Sequence, residues 1–353
     1  MPLSTGKALL LAAGLALLSF PAAATPRLIA PLPSADTPDR GINVVLYSED
    51  YQKDLDLLDW KDYKLFDRLL ADHINAISLE WPLYMDTLTS SSVHVSEKTP
   101  SDDALRRFLA KAYDYGFAVV LHPTIDEHAF MDRGGDWRGT MHPRDVAAWF
   151  ASYAALLVHY ADLGEEMHAR SLIIGTEFVS MEKYTSRWRA LIAEVRKHFS
   201  GTLTYAANSG IAPDIPWDAL DYVSVDAFFR LETPTALDPS VDELIDAWQK
   251  WIPQVESRAK AIGKPLVFSE IGTTSQRYAH DKNWLWSHGT AVDLLEQSRF
   301  YEAACRVWSH RLAGMYWWMA NVWLPADPSK DGGYGPLGKP AEDVMRSCFA
   351  DGE

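Results

Sequence analysis

Short β-branched or apolar runs alternate with longer amphipathic stretches along most of this chain. The runs fall at residues 41–47, 74–81, 117–125, 171–178, 202–207, 222–228, 265–271 and 313–319. Several are apolar at nearly every position, as strands of a parallel sheet buried on both faces must be. Between them, the segments 61–74, 101–115, 143–161, 185–198, 241–262 and 294–310 space their apolar residues at helical intervals, and Ser101 stands where it can cap the second. Eight βα units in one chain point to a single (β/α)₈ barrel. An open doubly wound sheet is the competing arrangement, but no G-x-G-x-x-G opens a helix after the first strand.

Three connections that leave strand C-terminal ends are long: 126–142 after strand 3, 272–290 after strand 7 and 320–339 after strand 8. That end of a barrel carries its active site. The loops hold Trp137, Trp284, Trp286 and Trp323 beside the glycine pairs 134–135 and 332–333. Aromatic loops on one face suit a cleft for an extended, flat-faced ligand; packing the loops down is an equally good use of each ring.

The first residues are of another kind. Lys7, the apolar run 8–18 and Ala22-Ala23-Ala24 have the layout of a secretory signal, so residues 1–24 are expected to be removed and 25–40 to link the signal to a barrel domain at 41–350. The run is too short to span a bilayer, and no later segment is expected to anchor the mature chain in a membrane. A periplasmic or secreted protein follows. Export would permit a disulfide between Cys305 and Cys348, the only cysteines, although two buried thiols on neighbouring helices fit equally well. With 48 acidic against 33 basic side chains the formal charge is −15, which argues against nucleic acid as a partner.

Reading the strand ends gives Tyr47, Glu80 with Trp81 beside it, His122, Glu177, Asn208, Asp226 or Phe228, Glu270 and Trp318. Glu177 and Glu270 each close an apolar strand, on strands 4 and 7, across the mouth from one another. A carboxylate so placed must be paired, neutralised or put to work. Two opposed carboxyls are what glycoside cleavage requires, one to protonate the leaving oxygen and one to attack the anomeric carbon or activate water. A metal is not expected: His122, His128, Asp126 and Glu127 cluster near strand 3, but without a recognisable ligand spacing. No cofactor is expected. For His122, Glu80 and Tyr47 a sugar contact and a structural role both remain open.

Ile174-Gly175-Thr176-Glu177, Leu203-Thr204-Tyr205-Ala206-Ala207-Asn208, Trp217-Asp218-Ala219-Leu220-Asp221-Tyr222 and the run from Gly263 through Ser269-Glu270-Ile271-Gly272 resemble glycoside hydrolase family 113. The resemblance spans about residues 41–349 and includes Gly338-Lys339-Pro340-Ala341. It implies a retaining barrel glycosidase of the β-1,4-mannanase type, with Glu177 as acid/base and Glu270 as nucleophile. It also implies Trp318 as the stacking platform under the reacting sugar and Asn208 as a polar residue of the site. Two positions depart from the family: Phe228 where it usually has Tyr, and Thr273 where it commonly has Tyr. The expected function is hydrolysis of a β-linked polysaccharide or oligosaccharide, endo-β-1,4-mannanase-like. Another β-glycan, such as an exopolysaccharide, or a non-catalytic carbohydrate-binding barrel is the alternative.

Overall fold

A computed structural model describes residues 33–34, 36–46, 64–127, 135–322 and 325–350. The signal segment, most of the linker, Tyr47, His128 and Trp323 lie outside the described residues.

Eight parallel strands close in chain order into a barrel: β1 Asp39–Val45, β2 Ala76–Tyr84, β3 Ala118–Asp126, β4 Ser171–Thr176, β5 Thr202–Asn208, β6 Val223–Asp226, β7 Leu266–Ile271 and β8 Gly314–Asn321. The helices among the described residues are α1 Leu65–Ala71, α2 Asp102–Asp114, α3 Val146–Glu166, α4 Thr185–Val195, α5 Val241–Gln249, α6 Ile252–Ile262, α7 Leu294–Trp308 and α8 Pro340–Ala350. The anticipated single helix over 241–262 is two, broken where Trp251 and Pro253 begin a new N-terminus. Between β5 and β6 the chain makes only a short 3₁₀ turn at Trp217–Ala219. Ser101 caps α2 by accepting from the Ala104 N–H, and Ser240 and Glu243 form a reciprocal cap on α5.

Because side chains alternate across a strand, each strand feeds two different cores. Along β2, Ile77, Leu79 and Trp81 face the helices, whereas Ala76, Ser78 and Glu80 face the barrel axis. Outside the barrel, Trp81 meets Tyr160 edge-on, and Trp149, Trp188, Trp248 and Trp308 fill the helix layer. Inside, a lower layer of Ala76, Val120, Ile173, Ala206, Val267 and Tyr316 is apolar. Beneath it the floor is sealed by Arg170, which donates to both carboxylate oxygens of Asp39 and to the Tyr316 hydroxyl.

One helix, α3, has the length and mean hydropathy, 1.2, of a membrane span, which the sequence reading did not anticipate. It lies on the barrel, where the Tyr153 hydroxyl donates to the Ile174 carbonyl of β4 at 3.2 Å. An α-helix that covers a parallel sheet needs a broad apolar face, and this one serves that purpose.

Of the two readings for the cysteines, the bridge is the one observed: Cys305 on α7 is joined to Cys348 on α8, 43 residues on. Closing a loop of that length in the unfolded chain is worth about 4 kcal/mol in the chain-entropy account. Reduction, or Cys305→Ser, should therefore lower the thermal midpoint of the purified protein by several degrees. Equal melting curves with and without reductant would contradict it.

Candidate active site

β4 delivers the first carboxylate. Gly175 is required there, because a Cβ would come within 2.9 Å of the Tyr205 ring and 3.0 Å of Trp188. Glu177 follows with φ +56°, a left-handed backbone that a side-chain-bearing residue adopts at a cost of order 1–3 kcal/mol. It is held there by its own N–H, which donates to the Ala206 carbonyl at 2.8 Å, while the next N–H donates to the Tyr205 hydroxyl at 2.8 Å. The turn directs the carboxyl inward, where Asn208 Nδ2 donates to Oε1 at 2.7 Å. Arg138, from the long β3 connection, brings Nε to 3.8 Å from Oε2.

β7 delivers the second. Ser269 donates from Oγ to Asp226 Oδ1 at 2.7 Å, and Glu270 comes next, with its side chain in the mouth. Gly272 lets β7 run against β8, since a Cβ there would meet the Trp318 carbonyl at 2.5 Å. Trp318, one side of a cis peptide to Met319, lies with Val45, Phe228, Met319 and Tyr334 in a small apolar cluster beside the carboxyls. Asn43 ties the walls together, donating from Nδ2 to the Ser269 carbonyl at 2.9 Å.

Four buried carboxyls therefore share one mouth: Glu80, Glu177, Asp226 and Glu270. Burial pushes all four up, Glu80 to about 8 and Asp226 and Glu270 well above the usual carboxylate range. Their mutual repulsion adds to this for Glu80, Asp226 and Glu270. Arg138 opposes it in every case, and the Asn208 N–H opposes it at Glu177. Arg138 itself is held by Glu127, at 2.9 Å from its backbone N–H and 3.4 Å from Nε, and by Thr124 at 2.6 Å. Such a cluster stores protons at neutral pH, which a general acid needs.

The structure brings Glu177, Asn208, Asp226, Glu270, Glu80 and Trp318 together at one end of the barrel, and places Trp81 and His122, the other candidate sugar contacts, away from the open mouth. Trp81 is one residue past Glu80, and the strand's alternation turns it outward into the helix layer. His122 faces inward but is fully enclosed, with Nδ1 3.1 Å from Ser78 Oγ and Nε2 2.9 Å from Thr176 Oγ1. Burial, helped by Arg138, lowers it to about 3, so it is a neutral structural link under the carboxyls. Asp226 is likewise enclosed, with its Oδ1 accepting from Ser269. Ligand-type atoms of Glu80, His122 and Glu270 lie within 4.8 Å of one another, but both ring nitrogens of that histidine already face hydroxyls.

Two contributors, Arg138 and Tyr334, were missed in the sequence, and a third, Glu127, was weighed there only as a metal ligand. Arg138 and Glu127 come from a loop without periodicity, although four mouth carboxyls call for a cation nearby. Tyr334, from the β8 connection, stands edge-on to Phe228 with centroids 6.3 Å apart, and its hydroxyl donates to the Asn283 carbonyl at 2.6 Å. It does not replace the hydroxyl lost at Phe228: among the described residues no tyrosine is hydrogen-bonded to Glu270. Thr273 is wholly buried, and its carbonyl accepts from Gln297 at 2.9 Å. Of the loop tryptophans, Trp284 and Trp286 are about half exposed. Trp286 stands edge-on to both Trp318 and Tyr334, at 6.3 and 5.1 Å between centroids.

The family model for Glycoside Hydrolase Family 113 matches residues 60–339. A β-mannanase of that family from Alicyclobacillus acidocaldarius superposes with a TM-score of 0.77 at 27 % identity, covering 91 % of this chain and 100 % of its own. Another family 113 β-1,4-mannanase gives 0.75 at 24 % identity over 89 % of this chain and 99 % of its own. A family 5 mannosidase from Rhizomucor miehei shares the fold, with a TM-score of 0.58 at 11 % identity over 89 % and 92 % of the two chains. No curated protein sequence matches the chain.

The Asn208 amide favours the ionised form of Glu177, so removing it raises that carboxyl further. Asn208→Ala should move the alkaline limb of the kcat/KM profile to higher pH while lowering its plateau. An unmoved limb, or one displaced to lower pH, would contradict this arrangement.

Proposed function

The chain belongs to glycoside hydrolase family 113, and from that premise we propose that it is an exported, retaining endo-β-1,4-mannanase-like enzyme. The observation that carries the reading is the pair of buried carboxyls, Glu177 on the β4 end and Glu270 on β7, facing one mouth beside Trp318. Relatives of the same shape are β-mannanases, and both family blocks around the glutamates are intact.

In the first step the Glu270 carboxylate attacks the anomeric carbon as the glycosidic bond breaks, and Glu177 gives its proton to the departing oxygen. The product is an ester between sugar and Glu270, with the leaving chain released as an alcohol. Loss of the negative charge on Glu270 then lowers the proton affinity of Glu177, which is ionised and ready to take a proton from water. Water attacks the same carbon, the ester breaks, and the carboxylate of Glu270 is restored. Two displacements return the original β configuration.

Asn208 and Arg138 keep Glu177 from holding its proton too tightly. Trp318 offers an apolar surface for the sugar's hydrogen-bearing face. The half-exposed Trp284 and Trp286 extend the aromatic surface away from the reacting position, which suits a polymer lying across the mouth. Export is supported by the layout of residues 1–24 and by the Cys305–Cys348 bridge, since such bridges persist in oxidising compartments.

Purified protein lacking residues 1–24 should release oligosaccharides from β-1,4-mannan and glucomannan, and Glu177→Gln should lower that turnover at least ~1000-fold. Azide should partly restore a Glu270→Ala variant on an activated aryl glycoside. Inactivity of the wild type on every mannan, with activity on another β-glycan, would keep the glutamate pair and overturn the substrate.

A further inference from the structure

The two-step reaction gives Glu80 no task, yet its position is costly. It points from β2 into the barrel with 2 % of its surface exposed, and its Oε2 has no hydrogen-bond partner. His122 Nδ1 is 3.9 Å from that oxygen and belongs to a neutral ring already engaged with Ser78. A carboxylate left charged and bare in such a place would be expelled or neutralised. The group it meets is the nucleophile: carboxyl oxygens of Glu80 and Glu270 lie within 4.8 Å of each other.

Every charged or titratable group facing this pair among the described residues bears on where its proton sits. Arg138, above β3, is compensated by Glu127 and leans on Glu177. Asp126 and Glu127 at the end of β3 and Glu177 on β4 add negative potential at Glu80. On the β6 side Asp226 adds negative potential at Glu270, but its Oδ1 already accepts from Ser269. Tyr334 turns its hydroxyl away, to the Asn283 carbonyl. Among the described residues the arrangement has acceptors in surplus and no side-chain donor is hydrogen-bonded to Glu270. A protonated Glu80 supplies one.

We propose that Glu80 is a positioning residue that carries a proton through the working pH range and donates it, in a hydrogen bond, to the Glu270 carboxylate. The bond fixes which oxygen of Glu270 is free to attack and keeps the pair at one negative charge. Burial pushes both Glu80 and Glu270 up, and the negative charge of Glu80 raises Glu270 further, so the pair holds on to one proton; at alkaline pH that proton is lost and a second negative charge appears beside the nucleophile. This rests on the assignment of Glu270 as nucleophile.

The test uses a reaction step that needs no proton from Glu177. A 2-deoxy-2-fluoro-β-mannobiosyl fluoride forms the ester with Glu270 as its carbon–fluorine bond breaks and fluoride departs unassisted. Its inactivation rate should fall in the wild type as rising pH strips the proton that the pair shares. In Glu80→Gln, whose amide donates at any pH, that decline should vanish, leaving it about tenfold faster than wild type at pH 9.5. Glu80→Ala should be at least ~10-fold slower than Glu80→Gln across the range, and Asp226→Asn should retain the decline.

A wild-type rate that is level to pH 10, a decline that persists in Glu80→Gln, equal rates for Gln and Ala, or loss of the decline in Asp226→Asn would each overturn the proposal. The wild-type profile and the isosteric Gln variant decide it even if the Ala variant does not fold. Failure of the probe to label Glu270 in active wild-type enzyme is a separate result: it overturns the nucleophile assignment, and this proposal with it.

Discussion

The constraint on which this structure depends is the desolvation of several carboxyls at the end of a closed barrel. Glu80, Glu177, Asp226 and Glu270 converge where water is scarce, with Arg138 as the cation that opposes the rise in all four. Four negative charges in that space would be prohibitive, so protons must stay. A barrel that shuts its floor with the Asp39–Arg170–Tyr316 network and an apolar layer keeps this pressure at the mouth, where a substrate can exploit it. The fold's rigidity and the site's chemistry thus have one origin.

Much of the barrel was legible beforehand because parallel strands buried on both faces leave apolar runs at regular intervals. All eight runs contain strands of the closed barrel. Ends were less legible. β2 continues to Tyr84 because its partner β3 remains in register as far as Asp126, a pairing that local sequence does not display. The split between α5 and α6 and the existence of α8 likewise depend on how helices pack around the cylinder, with α8 pinned to α7 by the bridge.

For the site, strand-end glutamates were visible since each interrupts an otherwise apolar strand. Residue identity alone does not say which face Trp81, near a strand end, occupies; counting from Glu80 by twos turns it outward. His122 lies on the inner face, and its enclosure follows from Ser78 and Thr176 on two other strands. Arg138 and Tyr334 reach the mouth from loops, where neither period nor motif marks them.

The account's central claim is that Glu177 and Glu270 act by two successive displacements. The most direct measurement is proton NMR of the first product formed from a reduced-end-blocked β-1,4-mannooligosaccharide, followed within the opening minutes of reaction. The account predicts the β-anomer first, with the α-anomer appearing only as the sugar mutarotates. Initial appearance of the α-anomer would contradict it, because a single displacement would then be at work and Glu270 would be activating water instead of attacking carbon.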